Sequence, residues 1–257
     1  LIENGRITAI ERDIEAEPGT EVVDASDFIV LPGFVDTHRH TWQSVLRHRM
    51  GDLDFWTYCA DMLRDIGRSY RPEDVHIGTK LGAIAAMNEA GLLGPDLTLI
   101  HVCDSSREEM QMMADHGVKA SVGPQAEQTM DMLGVQAVGR LLAVGIRPSL
   151  SGDTEVCGAG DILTQMKFCL AGDRHIANNR LIEEETPTVS VRDVLEFATI
   201  EGARACGLDE RVGSLAPGKD ADIVCIRRSD LNLTPCRDAV GAIVLAAHPG
   251  NIYTDIV

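Results

Sequence analysis

The sequence predicts an α/β chain: a larger domain of strands alternating with helices, and a small β-domain built from both ends. Three observations carry the prediction. The middle alternates apolar runs with helix-capping patterns, as parallel βα units do. Both ends read as strands separated by turns. Polar residues fit for chemistry close several of the predicted strands, as in a βα barrel.

The first piece reads as β-structure. Gly5–Ile10 alternates polar and apolar residues, the pattern of a half-buried strand. Glu21–Ala25 follows the Pro18–Gly19 turn signal. Phe28–Leu31 leads through Pro32–Gly33 into Phe34–Val35–Asp36, a short apolar run of the kind buried on both faces. Pro72, with Glu73 and Asp74 in the first turn, opens a helix that runs to Gly91. Leu97–Val102 is a strand. Ser106 and Glu109 form a capping box opening a helix that stops at Gly117, and its Met110–Met113–Ala114 stripe is core packing. Val118–Val122 is a strand, Ala137–Val144 a helix, and Ile146–Leu150 a strand that runs into Ser151–Gly152–Asp153. Ser190 and Asp193 cap a helix reaching Ala203 and stopped by Gly207. In the tail, Gly213–Lys219 is rich in turn residues, and Asp222–Ile226, Ala242–Leu245 and Ile252–Tyr253 read as strands.

Composition excludes several classes of function. The 257 residues carry 23 Lys and Arg against 40 Asp and Glu, a formal charge of −17 that repels nucleic acid and anionic membranes. No apolar run is long enough to span a bilayer, and the N-terminus lacks the regions of a secretory signal. Seven scattered cysteines without a CxxC pair argue against a disulfide framework or a cysteine zinc site, and for a reducing cytoplasm. No GxSxG, GxxxxGK[ST] or GxGxxG motif stands in a supporting context, so serine hydrolase, P-loop and dinucleotide-binding chemistry lack support.

The chemistry gathers at strand ends. In Asp36-Thr37-His38-Arg39-His40, residues two apart share a strand face, so His38 and His40 present paired imidazoles suited to a divalent transition metal. Two strand histidines can equally face solvent, but this pair follows a buried-type run. His101 closes a second strand and Asp153 a third. His101 alone could be a satisfied core residue, and Asp153 alone a helix cap. The remaining histidines, His48, His76, His116, His175 and His248, read as surface residues.

With these residues in view, the chain resembles the amidohydrolase superfamily. Leu31-Pro32-Gly33-Phe34-Val35-Asp36-Thr37-His38-Arg39-His40 is similar to its first-strand signature. Gly213-Ser214-Leu215-Ala216-Pro217-Gly218-Lys219-Asp220-Ala221-Asp222-Ile223-Val224 is similar to the segment where the chain returns to the small domain. With the opening Ile2–Ile7, the likeness spans nearly the whole chain and points to the deaminase and chlorohydrolase branch, with its cytosine deaminase-like and triazine hydrolase-like enzymes. The resemblance implies a distorted (β/α)8 barrel over residues 32–211 and a β-sandwich from residues 1–31 and 212–257. It implies one divalent metal, by default zinc with iron or manganese also compatible, held by His38, His40 and Asp153. Asp153 would also be the base for the attacking water, and His101 would polarise the substrate. Trp42, Gln43 and Glu127 are candidate substrate contacts. The implied substrate is a small nitrogen heterocycle whose C–N bond is hydrolysed; a dehalogenating or dealkylating triazine-type reaction is the alternative. A homodimer or higher homo-oligomer is the family expectation.

One spacing departs from the pattern. His40 and His101 are 61 residues apart, whereas five βα steps at roughly 30 residues need about 150. About three βα units therefore lack a counterpart, with the break expected near residues 91–92. The fifth-strand histidine ligand and its following glutamate are not found. Leu1 and Val257 both fall inside strand-like pieces, so a longer chain is expected behind these residues. A non-catalytic, internally deleted homologue is the competing reading.

Overall fold

The computed structural model describes residues 1–40, 57, 60, 83–130, 134–156, 158–182 and 187–256. At the N-terminus, β1 (Ile2–Glu3) and β2 (Arg6–Ile7) pair antiparallel across a two-residue turn. Asn4 and Gly5 both take positive φ there, 51° and 75°, the backbone that matches the right-handed twist of a tight hairpin. The strand expected over residues 5–10 is thus confined to β2. Glu21–Ala25 forms no strand: no strand among the described residues pairs with it, and Val22 and Val23 are exposed.

Strands from both ends share one antiparallel sheet. β3 (Phe28–Pro32) pairs with β7 (Ile223–Arg227), which pairs with β8 (Ile252–Ile256). The predicted strand at Ala242–Leu245 is instead part of a helix, α8 (Ala239–Ala246). Asp238 caps it, its side chain accepting from the Val240 amide at 3.1 Å. The helix is apolar nearly all round, so its sequence has no 3.6-residue period by which to distinguish it from a buried strand.

Between these ends lies the βα part. The helix expected from Pro72 falls outside the described residues until α1 (Ala83–Glu89), which ends at Gly91. A turn leads directly from there to β4 (Thr98–Ile100). Then come α2 (Arg107–Asp115), β5 (Lys119–Val122), α3 (Pro124–Thr129), α4 (Val138–Ala143) and β6 (Ser149–Leu150). The capping box at Ser106 and Glu109 is formed, its two reciprocal bonds satisfying amides of the first turn. β4, β5 and β6 are parallel and in that order.

The longest helix among the described residues, α5 (Ile162–Asn179), packs against α3, α4, α6 and α8. Its sequence hides it, because Gln165 and Asp173 sit on the buried side and interrupt the apolar stripe. The helix expected from Ser190 to Ala203 is two: α6 (Val191–Phe197) and α7 (Ile200–Ala205). The chain turns at Thr199, whose φ and ψ are −127° and −91°. The break leaves the Ala198 carbonyl free to accept from the Val35 amide at 3.0 Å, tying down the segment that carries the paired histidines. Met110, Met113, Leu141, Leu150, Leu163, Met166, Leu170 and Phe197 are fully buried and belong to one core. Among the described residues no helix is long and apolar enough to cross a membrane.

Candidate active site

Residues 37–40 continue the parallel sheet beyond β6. The Thr37 amide donates to Leu150 O (3.3 Å), the Asp153 amide to His38 O (3.0 Å) and the His40 amide to Asp153 O (2.8 Å). The paired histidines and Asp153 are therefore fixed to one another by backbone bonds, across more than a hundred residues of sequence. Beneath them, the Thr37 hydroxyl lies 2.6 Å from Ser121 Oγ, 2.9 Å from Ser149 Oγ and 3.0 Å from Leu150 O. This polar knot joins β5, β6 and the histidine segment.

His101 stands one residue past β4, its amide donating to Ser121 O at 2.9 Å. His101, Val102 and Asp153 have φ of 66°, 49° and 52°. Left-handed backbone is unfavourable for non-glycine residues, most of all for β-branched Val102, and is held only where surroundings enforce it. Gly123, at the end of β5, lets the two strand ends approach. A Cβ there would sit 3.3 Å from Asp153 Cβ, His101 Cε1 and Ser151 Oγ alike.

Three imidazoles converge on one carboxylate. Asp153 Oδ1 lies 3.3 Å from His38 Nε2 and 3.4 Å from His40 Nε2, and Oδ2 lies 3.7 Å from His101 Nε2. The His38 ring meets those of His40 and His101 edge-on, at centroid separations of 5.0 and 6.0 Å. Asp153 is buried. Burial alone would raise its pKa, but the hydrogen bond from His38 and the charges of the three imidazoles bring it below the ordinary carboxylate value. Burial lowers the pKa of His40, with His38 and His101 adding to the effect against the pull of Asp153. Burial also acts to lower His101, yet Glu127 and Asp153 outweigh it and the net shift is upward.

The donor set fits a divalent metal. Ligand atoms of His38, His101 and Asp153 lie within 4.8 Å of one another, the one such group among the described residues. His40, the other expected ligand, approaches the same Asp153 oxygen as His38. Mixed imidazole and carboxylate ligation suits zinc and its neighbours.

Glu127 lies on α3 with its side chain fully buried. Its Oε1 accepts from the Gly123 amide at 2.8 Å and is 3.0 Å from His101 Nδ1. Trp42 and Gln43 fall outside the described residues. Sequence reasoning missed a clasp on the other side of the histidine strand. Arg39 donates through Nε to Asp36 Oδ2 (2.8 Å), through Nη1 to Glu155 Oε1 (2.6 Å) and through Nη2 to Gly160 O (2.7 Å) and Asp36. Asp36 Oδ1 in turn accepts from the Gly152 and His38 amides at 3.1 and 3.3 Å. The Asp-x-x-Arg spacing inside the motif was its one sequence signal.

Residues 71–257 match the Amidohydrolase family. The chain is 32% identical over 172 residues to the 5'-deoxyadenosine deaminase of Methanothermobacter thermautotrophicus, a match covering 66% of this chain and 38% of that protein. Against the 5-methylthioadenosine/S-adenosylhomocysteine deaminase of Caldicellulosiruptor saccharolyticus it is 22% identical over 372 positions, covering all of this chain and 86% of the relative. An alignment of 372 positions to a chain of 257 residues leaves at least 115 positions without a counterpart here. The chain spans about two fifths of the length of the first curated relatives it matches. In fold it is similar to a variant of the atrazine chlorohydrolase TrzN from Arthrobacter aurescens, complexed with zinc and atraton. The TM-score is 0.83 at 14% identity, over all of this chain and 88% of that one.

Proposed function

This chain belongs to the amidohydrolase family, and from that premise we propose a metal-dependent hydrolase that cleaves a C–N bond of a small nitrogen heterocycle, in the manner of a deaminase. The observation that carries the reading is the convergence of His38, His40 and His101 on buried Asp153 at adjacent strand ends. His38, His40 and Asp153 would hold the ion, with His101 able to join them. When bound, such an ion supplies the Lewis acidity that lets a water lose its proton near neutral pH.

The protein's own groups carry the remaining steps. Asp153, held as a carboxylate by the imidazoles around it, accepts the proton of the attacking water. Oxygen adds to the ring carbon that bears the leaving nitrogen. His101, in the protonated form that Glu127 and Asp153 favour, faces the same space through Nε2 and stabilises charge that develops on the attacked group. Asp153 then returns the proton to the nitrogen, the C–N bond breaks and ammonia or an amine departs. Trp42 and Gln43, close in sequence to His40, belong to this reading as substrate contacts.

The same reading divides the chain into a small unit of residues 1–31 and 212–257 and a barrel unit of 32–211. About three βα units of the family barrel lack a counterpart, and the direct turn from α1 to β4 and the 372-position alignment support this. Zinc is the proposed metal and the cytoplasm the proposed location; the free cysteines among the described residues suit a reducing compartment. A homo-oligomer completes the proposal.

Metal analysis of the purified protein, with assays of ammonia, alkylamine and chloride release from purine nucleosides and triazines, tests it. One divalent ion per chain and ammonia release are expected, both lost in His38→Ala. Chloride or alkylamine release would select the triazine-type alternative. A protein with no bound divalent metal, whose activity is indifferent to His38→Ala, would refute the proposal.

A further inference from the structure

Glu127 is placed where it can choose which face of His101 reaches the site. Its side chain is fully buried, and it comes from α3, an element separate from those that carry the histidines and Asp153. One oxygen, Oε1, meets both the Gly123 amide (2.8 Å) and His101 Nδ1 (3.0 Å). The other, Oε2, is buried with no hydrogen-bond partner. A carboxylate only accepts. The Gly123 amide can only donate, so the contact to Nδ1 is a hydrogen bond only when that nitrogen carries a proton.

On the far side of the ring, Nε2 lies 3.7 Å from Asp153 Oδ2, beyond hydrogen-bond reach. Of the two carboxylates that flank the ring, Glu127 is the nearer, at 3.0 Å against 3.7 Å. A buried carboxylate has a strong energetic need for the donors within its reach, the Gly123 amide and His101 Nδ1 on Oε1 and the Cys103 thiol nearby.

We propose that Glu127 is a positioning residue that fixes His101 as the Nδ1–H tautomer and locks its ring orientation, so that Nε2 is the nitrogen presented to His38, His40 and Asp153. This deepens the proposed function and rests on it for its purpose, although not for its test. A buried Glu127 orients the residue that acts on the substrate, where a substrate contact would need an exposed carboxylate. Holding the outer nitrogen of a working imidazole with a carboxylate fixes both tautomer and rotation of the ring.

The tautomer is read directly by long-range 1H–15N correlation spectra of metal-free protein labelled with 15N-histidine, with His101→Asn assigning the signal. Recorded at a pH where the ring is neutral, wild-type His101 is expected as Nδ1–H. Glu127→Gln, whose amide oxygen still accepts, is expected to keep that tautomer, and Glu127→Leu to lose it. Zinc affinity, measured by chelator competition, is expected to stay near wild type in Glu127→Gln and to fall roughly 10–100-fold in Glu127→Leu.

An Nε2–H tautomer in the wild type overturns the proposal without any variant, so it stays decidable even if Glu127→Leu does not fold. A folded Glu127→Leu that keeps Nδ1–H and full zinc affinity overturns it as well. Correct tautomers in a protein that shows neither turnover nor bound metal would leave this inference standing and refute the proposed function.

Discussion

Replacing Arg39 by Met tests whether the clasp behind the histidine strand holds the site together. The guanidinium makes four hydrogen bonds, to Asp36 twice, to Glu155 and to Gly160 O. Its side chain is 19% exposed, Asp36 23% and Glu155 10%, so the cluster lies much nearer the buried than the solvated limit. Methionine keeps the apolar stem but removes the cation that joins the Asp36 and Glu155 carboxylates. Breaking a buried pair from one side costs about 3–5 kcal/mol, and the residual exposure of this one places the expected loss near about 3 kcal/mol. For a protein of this size that is a fall in Tm of about 6–12 °C.

Asp36 Oδ1 also anchors the amides of Gly152 and His38, so zinc affinity is expected to fall together with stability. Differential scanning calorimetry of metal-free protein, alongside chelator competition, measures the two effects separately. Adding Asp36→Asn and Glu155→Gln to Arg39→Met removes the two carboxylate charges that Arg39 balances and should restore most of the lost stability. A fall in Tm under about 2 °C, the scale of a solvated surface pair, would refute the reasoning.

Other consequences are equally specific. Thr37→Val preserves shape and removes the hydroxyl shared with Ser121, Ser149 and Leu150 O; the urea midpoint should fall by the equivalent of about 1–3 kcal/mol with an unchanged m value. Asp193 is held below the ordinary carboxylate pKa: burial opposes this, but bonds from Ser190 and Arg147 prevail. A lowered folded-state pKa means that its contribution is present above the unfolded value of 3.8 and is lost as pH falls through the folded one. Asp193→Asn should therefore melt below wild type at pH 6, with the gap closing as pH drops under 3.8; a gap that stays constant across that range contradicts the assignment. If the relatives' additional barrel units belong to this protein too, the intact mass of the natively expressed chain will exceed 27.8 kDa by on the order of 10 kDa; a mass of 27.8 kDa means a shortened barrel.

Local rules made much of the chain legible. The capping boxes at Ser106 and Ser190 are decided within four residues, and the structure contains both. The strands at β3, β4, β5 and β7 follow from short apolar runs between turn residues. Where burial is uniform the pattern fails: α8 is apolar on nearly every side and reads as a strand, and α5 hides polar Gln165 and Asp173 in its buried face. The turn at Thr199 has no marker in sequence either, because it serves a partner, the Val35 amide, far away along the chain.

The site shows the same division. Local patterns placed His101 directly after a strand and Asp153 shortly after another, and set His38 and His40 two apart in one short motif, since strand periodicity and turn signals are properties of neighbouring residues. The strand expected over Phe34–Asp36 does not form, and the histidine segment joins the sheet through the isolated bridge of Arg39 to Asp153. Only the tertiary structure decided that residues 37–40 run beside β6, that Arg39 and Asp36 brace this strand from behind, and that Glu127 turns inward to His101. Those contacts join residues 26 to 116 positions apart or depend on which way a side chain faces. Pairing at such distances is set by the packing of the whole sheet, and no local pattern encodes it.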